Sequence, residues 1–297
     1  MASCKFCGNG SLAKKGFVLG KQFYECRDCG RRFVENGAYV KMRTKAEVIS
    51  AALSMYFDGL SVRKVEGQIA SLFGVKVSHV AIWKWVLKFS ELVDAYTSTL
   101  TPDLSGEYHH DETAIKIKGK EAWFWEMVDE RTRFLVAAHL SDTRTFEDTV
   151  KQFRRSVEVG KRRPKTIYVD GSFVYQSAFN RVFYSRYKED QVRFVQRVGI
   201  NARKTNNIVE RLHGSLKDRL KPMRGLKNKE CSRKILEGYV VHYNYCKPHS
   251  ALGGRTPATA AGIESLGRWN DLIVQSIRHK AKGETNGSQK APVVIAG

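Results

Sequence analysis

Between residues 106 and 141, apolar and polar positions alternate through three runs in a row. The runs are His109–Ile117, Glu121–Val128 and Arg133–Leu140, with a Lys118-Gly119-Lys120 turn after the first. Period-two alternation closed by a glycine turn predicts consecutive strands. The pattern then changes. A helix is predicted from Thr145 to Val157, a strand from Lys165 to Asp170 and a helix from about Tyr175. A short strand near Val192–Val195 follows, then a helix with Val209, Leu212, Leu216 and Leu220 on one face. Three strands followed by alternating strands and helices define an α/β layout.

Upstream, residues 43–90 carry helical periodicity three times. The first helix is predicted to start in a capping box, Thr44-x-x-Glu47, and to end near Asp58-Gly59. The second begins at Ser61 with a stripe of Val62, Val65, Ile69 and Leu72. After a turn at Gly74, the third starts at Ser78 and places Ile82, Trp85, Val86 and Phe89 on one side. Two helices joined by a short glycine turn form a helix-turn-helix, in which His79 and Lys84 are candidates to face a DNA groove.

The first forty residues hold too few apolar side chains to fold unaided. They carry Cys4-x2-Cys7 and Cys26-x2-Cys29 around a predicted hairpin, Gly16–Glu25. Four thiolates in two matched pairs suit tetrahedral Zn2+, which would then supply the folding energy. Cys231 and Cys246 lack such partners and read as packing residues.

Charge narrows the function. The 297 residues carry a net charge of +21, distributed as +7, +3 and +11 over residues 1–100, 101–200 and 201–297. Such a surplus favours polyanions. No apolar run is long enough to span a bilayer, and no apolar secretory segment follows Met1, so a cytoplasmic, nucleoid-associated location is expected.

The least basic third contains Asp111, inside the first strand of the α/β region, and Asp170, at the end of a later strand. Glu210 rides on the basic helix that follows. Each alone has an ordinary reading, as an edge residue, a turn residue or a solvated helix charge. Together, two strand aspartates and a helical glutamate can hold a pair of Mg2+ or Mn2+ ions against a phosphodiester. Asp111 is the candidate bridge, with Asp170 on one ion and Glu210 on the other. Glu210, His213 and Lys217 form a polar stripe beside the apolar one, with Lys217 about 10 Å beyond Glu210 along the axis.

These motifs resemble those of prokaryotic insertion-sequence transposases of the DDE type, whose ribonuclease H-like core is similar to that of retroviral integrases. The resemblance rests on Asp111-Glu112-Thr113 with Ile115-Lys116-x-Lys118-Gly119, on Val169-Asp170-Gly171-Ser172, and on Asn206-Asn207-Ile208-Val209-Glu210-x-x-His213-x-x-x-Lys217. Pro222-Met223-x-Gly225 and His242-Tyr243-Asn244-x-x-x-Pro248-His249 extend it, and Tyr24-x-Cys26-x-x-Cys29-Gly30-Arg31 extends it to the N-terminus. The 39 residues between Asp170 and Glu210 are slightly more than usual, which predicts a longer loop around Asp190 or Asn201.

The resemblance implies a zinc ribbon over 1–40 and a helix-turn-helix over 43–92. It also implies a ribonuclease H-like catalytic domain, a mixed sheet flanked by helices, over 104–265. Residues 279–297 are expected to be a disordered tail. Asp111, Asp170 and Glu210 would be catalytic metal ligands. Arg211, His213, Lys217 and Arg224 would contact DNA, beside His79 and Lys84. The expected partners are double-stranded terminal repeats, target DNA and a second copy of the chain. Two other functions fit the same residues: a catalytically silent DNA-binding regulator and a structure-specific DNA nuclease.

Overall fold

The computed structural model describes residues 2–196, 203–223, 225–264 and 267–288, the side chains of 173, 203–207 and 284–288 excepted. Three short antiparallel strands, β1 (Leu12–Val18), β2 (Lys21–Cys26) and β3 (Arg32–Val34), make the N-terminal unit. Val18 pairs with Lys21, so the hairpin loop is Leu19-Gly20, both at positive φ. That is the two-residue turn whose twist matches the strands. The core here is small: Cys4, Cys26 and Phe33.

Three helices follow: α1 (Ala46–Phe57), α2 (Val62–Phe73) and α3 (His79–Thr97). Ser61 caps α2 by accepting from Lys64 N, and Ser78 caps α3 by accepting from Ala81 N. Gly74 closes α2 in the left-handed conformation, where a side chain would be strained. The expected Thr44 capping box does not form. The helix starts one residue later, with Lys45 in a bridge to Ala38 and Ala46 N donating to Gly37 O at 2.8 Å. Backbone thus satisfies the first donor of the helix as it actually starts. The predicted stripe of α3 is buried as expected, but Leu72 of α2 is 63% exposed, because the last turn of α2 reaches past the bundle.

The larger sheet contains β4 (Glu107–Ile117), β5 (Lys120–Asp129), β6 (Leu135–Ser141), β7 (Thr166–Val169) and β8 (Arg193–Gln196), in the order β6-β5-β4-β7-β8. β4, β5 and β6 are antiparallel, and β7 and β8 run parallel to β4. Lys118 and Gly119, both at positive φ, form the β4–β5 turn. This mixed sheet, antiparallel first and parallel afterwards, has the ribonuclease H-like form. It is flanked by α4 (Phe146–Gly160), α5 (Phe173–Phe183), α6 (Arg203–Leu220) and α7 (Lys229–Val241). Asp148 of α4 closes a capping box with Thr145 and is buried in accepting from Ser141, Thr143 and Thr145. A 3-10 turn at Lys188–Asp190 lies where a longer loop was expected, and Asn201 is outside the described residues.

The chain closes with α8 (Pro257–Ala260) and α9 (Trp269–Ser288). The disordered tail expected from residue 279 is corrected as far as Ser288, which is helical; 289–297 lie outside the described residues. The anchor is Trp269, fully buried against Phe57 and donating through Nε1 to His242 Nδ1 at 3.2 Å. α3 runs against both α7 and α9, which packs the helical unit onto the core.

Candidate active site

Strand register brings two of the three candidate carboxylates together. β4 and β7 pair Glu107 with Thr166, Tyr108 with Ile167 and His109 with Tyr168. The same offset carried two residues further sets Asp170 beside Asp111, just where β7 ends. Both are half-buried. Asp111 Oδ1 accepts from Glu112 N at 2.9 Å within β4, and Asp170 Oδ1 accepts from Ser172 N at 3.0 Å just after β7, so neighbouring backbone holds each carboxylate. Burial, helped by the charges of Glu112 and Asp170 and opposed by His213, pushes the Asp111 carboxyl up to about 7. A site that resists gathering negative charge is one that a divalent cation would relieve.

Glu210 stands exposed on α6 and does not close with the two aspartates. Among the described residues, the four N-terminal cysteines are the one group of metal-ligating side chains with ligand atoms within 4.8 Å of one another. The predicted apolar face of α6 is buried at Val209, Leu212 and Leu216. This packing sets the helix against β4 and β5, with Glu210 on the adjoining face.

These observations meet known proteins at one segment. Residues 105–249 match the family model described as a DDE domain, of the IS240 transposase type. These residues form a DDE domain of the kind found in insertion-sequence transposases. The chain is also similar to an uncharacterized protein from Methanocaldococcus jannaschii, 24% identical over 151 residues, which are 51% of this chain and 67% of that one. Among solved structures, it is similar to a chain of the simian T-cell lymphotropic virus intasome in complex with PP2A regulatory subunit B56 gamma. There the TM-score is 0.42 and identity 18%, covering 56% of this chain and 57% of that one. It is likewise similar to the HTLV-2 integrase catalytic core domain in complex with magnesium, with TM-score 0.37 and identity 17%, covering 53% of this chain and 95% of that one.

Two polar clusters of the DDE domain were not legible as site residues. The first is Glu126, which pairs with Asp111 across β4 and β5 and is completely buried. His213 Nε2 lies 3.0 Å from Glu126 Oε2. The distance is that of an ion pair, although the N–H is not aimed well enough to count as a hydrogen bond. His213, expected to face DNA, is therefore turned inward. A carboxylate amid the apolar run Ala122–Val128 was the available signal. The second cluster surrounds Glu112. Buried Glu112 accepts from the Tyr175 hydroxyl and forms an ion pair with Arg144. The Arg144 guanidinium lies 5.0 Å above the Trp123 ring, so Trp123 and Trp125 have different roles, since Trp125 is core.

Arg211 and Lys217 are exposed on α6, while Arg224 lies outside the described residues. His79 faces Glu66 of α2 at 3.3 Å, and exposed Lys84 opens onto a groove with Lys234 and Lys280. The structure thus points this pair in different directions, five residues apart on one helix.

The cysteine cluster fits a structural metal. Cys4 Sγ and Cys29 Sγ are 3.7 Å apart, and Cys7 Sγ and Cys26 Sγ are 3.6 Å apart. Tetrahedral Zn–S bonds of about 2.3 Å require sulfur separations of about 3.8 Å. Burial works against ionising Cys26, but N–H groups of Cys29 and Asp28 and the neighbouring thiols pull it down to about 7. Among the described residues, no helix is long and apolar enough to cross a membrane.

Proposed function

We propose that this chain is a transposase that binds the ends of its element and carries out metal-dependent cleavage and joining of DNA strands. The observation that supports this most is the register-matched pair Asp111–Asp170 inside a DDE domain. In this reading Asp111, Asp170 and Glu210 hold two Mg2+ or Mn2+ ions. When bound, these supply activation of the attacking oxygen and stabilisation of the leaving oxygen. Asp111 and Asp170 are each held by a neighbouring backbone N–H, so their oxygens are presented with little rearrangement. Glu210 comes from the exposed face of a helix seated on the same sheet.

The remaining residues orient the substrate. Lys217 and Arg211 hold phosphates along α6, and Arg144 sits beside Glu112 at the edge of the aspartate pair. A first attack by water at the element end leaves a free 3′ hydroxyl. A second attack by that hydroxyl on target DNA exchanges one phosphodiester for another. The cysteine cluster, with Zn2+, and the α2–α3 pair read the terminal repeats. Two ends must meet, so a homodimer or larger assembly on DNA is expected.

The test separates binding from chemistry. Asp111→Asn should bind end DNA as tightly as the unaltered chain and should neither nick nor join it. Joining retained in Asp111→Asn would remove the assignment. Binding without any metal-dependent nicking by the unaltered chain would favour the silent regulator, and hydrolysis without joining would favour the nuclease.

A further inference from the structure

A groove of about 910 Å3 runs between the α1–α2 turn, α3 and the segment joining α6 to α7. Arg63 and Lys64 line it from α2, Lys221 and Lys227 from the 220s, and Trp83 from α3, with Arg219 in its wall. Five cations and no carboxylate line this space. On a chain with 30 acidic residues such segregation is not general solubility charge.

Arg219 adds an independent observation. It is 1% exposed, and the described group that acts on its charge is the Tyr56 phenol rather than a carboxylate. Its Nη1 donates to the carbonyls of Tyr56 and Leu60, at the end of α1, and the guanidinium lies 3.9 Å over the Tyr56 ring. Its Nε and Nη2 find no acceptor among the described residues. A buried charge without a counterion is costly unless an anion approaches. In a low-dielectric wall its field is felt in the open groove beside it.

We infer that this groove is a binding site for the phosphodiester backbone of a DNA strand. Arg63, Lys64, Lys221 and Lys227 make the direct contacts, and Arg219 supplies buried charge behind them. Arg219 and Glu210 lie on the same helix, nine residues or about 13.5 Å apart along its axis. That span is about four nucleotide steps at 3.4 Å each. Two and a half turns set buried Arg219 on the face opposite exposed Glu210, so a strand from the carboxylates would enter the groove by passing the end of α6 at Lys221. The groove would tie the helical unit, the core and the DNA into one register. The choice of DNA as the ligand rests on the transposase reading above.

The test uses the full chain and fluorescence anisotropy with end DNA over a series of salt concentrations. Lys64 and Lys227 are exposed, so Lys64→Gln/Lys227→Gln should fold normally. Each lost phosphate contact should flatten the slope of log K against log salt by about 0.9, so the double variant should be shallower by about 1.8. Lys151→Gln/Arg154→Gln, which removes two exposed charges from α4, should keep the original slope. Equal slopes in the unaltered chain and the groove variant would overturn the inference, even if joining persists. The predicted slope change in a chain that never joins ends would keep the groove and sink the transposase. If inorganic phosphate raises the melting temperature of the unaltered chain but not of the groove variant, with DNA slopes equal, the ligand is a small anion and the DNA assignment falls.

Discussion

His213 on α6 and Glu126 on β5 meet 3.0 Å apart inside the DDE domain, one strand away from Asp111. This contact fastens the helix that carries Glu210 to the sheet that carries the two aspartates. Removing one member leaves the other buried and unpaired. Glu126→Ala should therefore lower unfolding stability by about 3–5 kcal/mol, measured by urea denaturation.

The same pair sets a pH dependence. Burial raises the Glu126 carboxyl, and Glu126 and Asp111 outweigh burial to raise the His213 imidazole. The folded pair thus holds its proton more tightly than the unfolded chain does. That stability is fully present below the ordinary histidine value of 6.5 and is lost as pH rises through the raised folded value. Urea midpoints should fall between pH 6 and pH 9, and Glu126→Gln should flatten that fall. An unchanged pH profile in the variant would place the titration elsewhere.

Gly238 lies where α7 crosses α3. A methyl group there would run into Ser90 Oγ and the Phe57 ring. Gly238→Ala should cost about 1–3 kcal/mol by overpacking, with a matching fall in melting temperature.

Acid should act at a different joint. Asp58, at the end of α1, is held below the usual carboxylate range by its hydrogen bond from His242, against some burial. Trp269 Nε1 donates to His242 Nδ1, so the proton sits on Nε2 and is donated to Asp58. A depressed carboxylate contributes stability that is present above its unfolded value and lost as pH falls through its folded one. Asp58 is 58% exposed, so the effect should be modest. Asp58→Asn should make the acid limb of a thermal-melt profile shallower.

The metal cluster should decide the ribbon. With three buried residues in its core, the N-terminal unit depends on its four cysteines. A strong chelator, or Cys26→Ala, should abolish the circular-dichroism and fluorescence signals of the ribbon while the melting of the DDE core stays within a few degrees.

Local pattern carried much of this architecture, and distance limited the rest. The cysteine spacing, the strands around Asp111 and Asp170, and the buried stripe Val209–Leu212–Leu216 all express short-range periodicity, so they were legible. The contacts that tie α6 to the sheet and α1 to the core are not local. Glu126 and His213 are 87 residues apart, and Asp58 and His242 are 184 apart. No periodicity reports such partners, so Glu126 was not singled out and His213 was expected to contact DNA. α9 was missed for a related reason. Its last turns are polar, and what holds the helix is Trp269 packed on Phe57, far upstream. The Thr44 cap does not form because the helix starts one residue later, after Lys45 pairs with Ala38 and Gly37 O accepts from Ala46 N.

The central claim is that Asp111, Asp170 and Glu210 make a strand-transfer site. The most direct measurement incubates the purified chain with Mg2+ or Mn2+ and labelled DNA carrying the sequences that flank its gene. Joined products that vanish with Asp170→Ala, while end binding is kept, are the predicted result. Joined products that persist in Asp170→Ala would contradict the account.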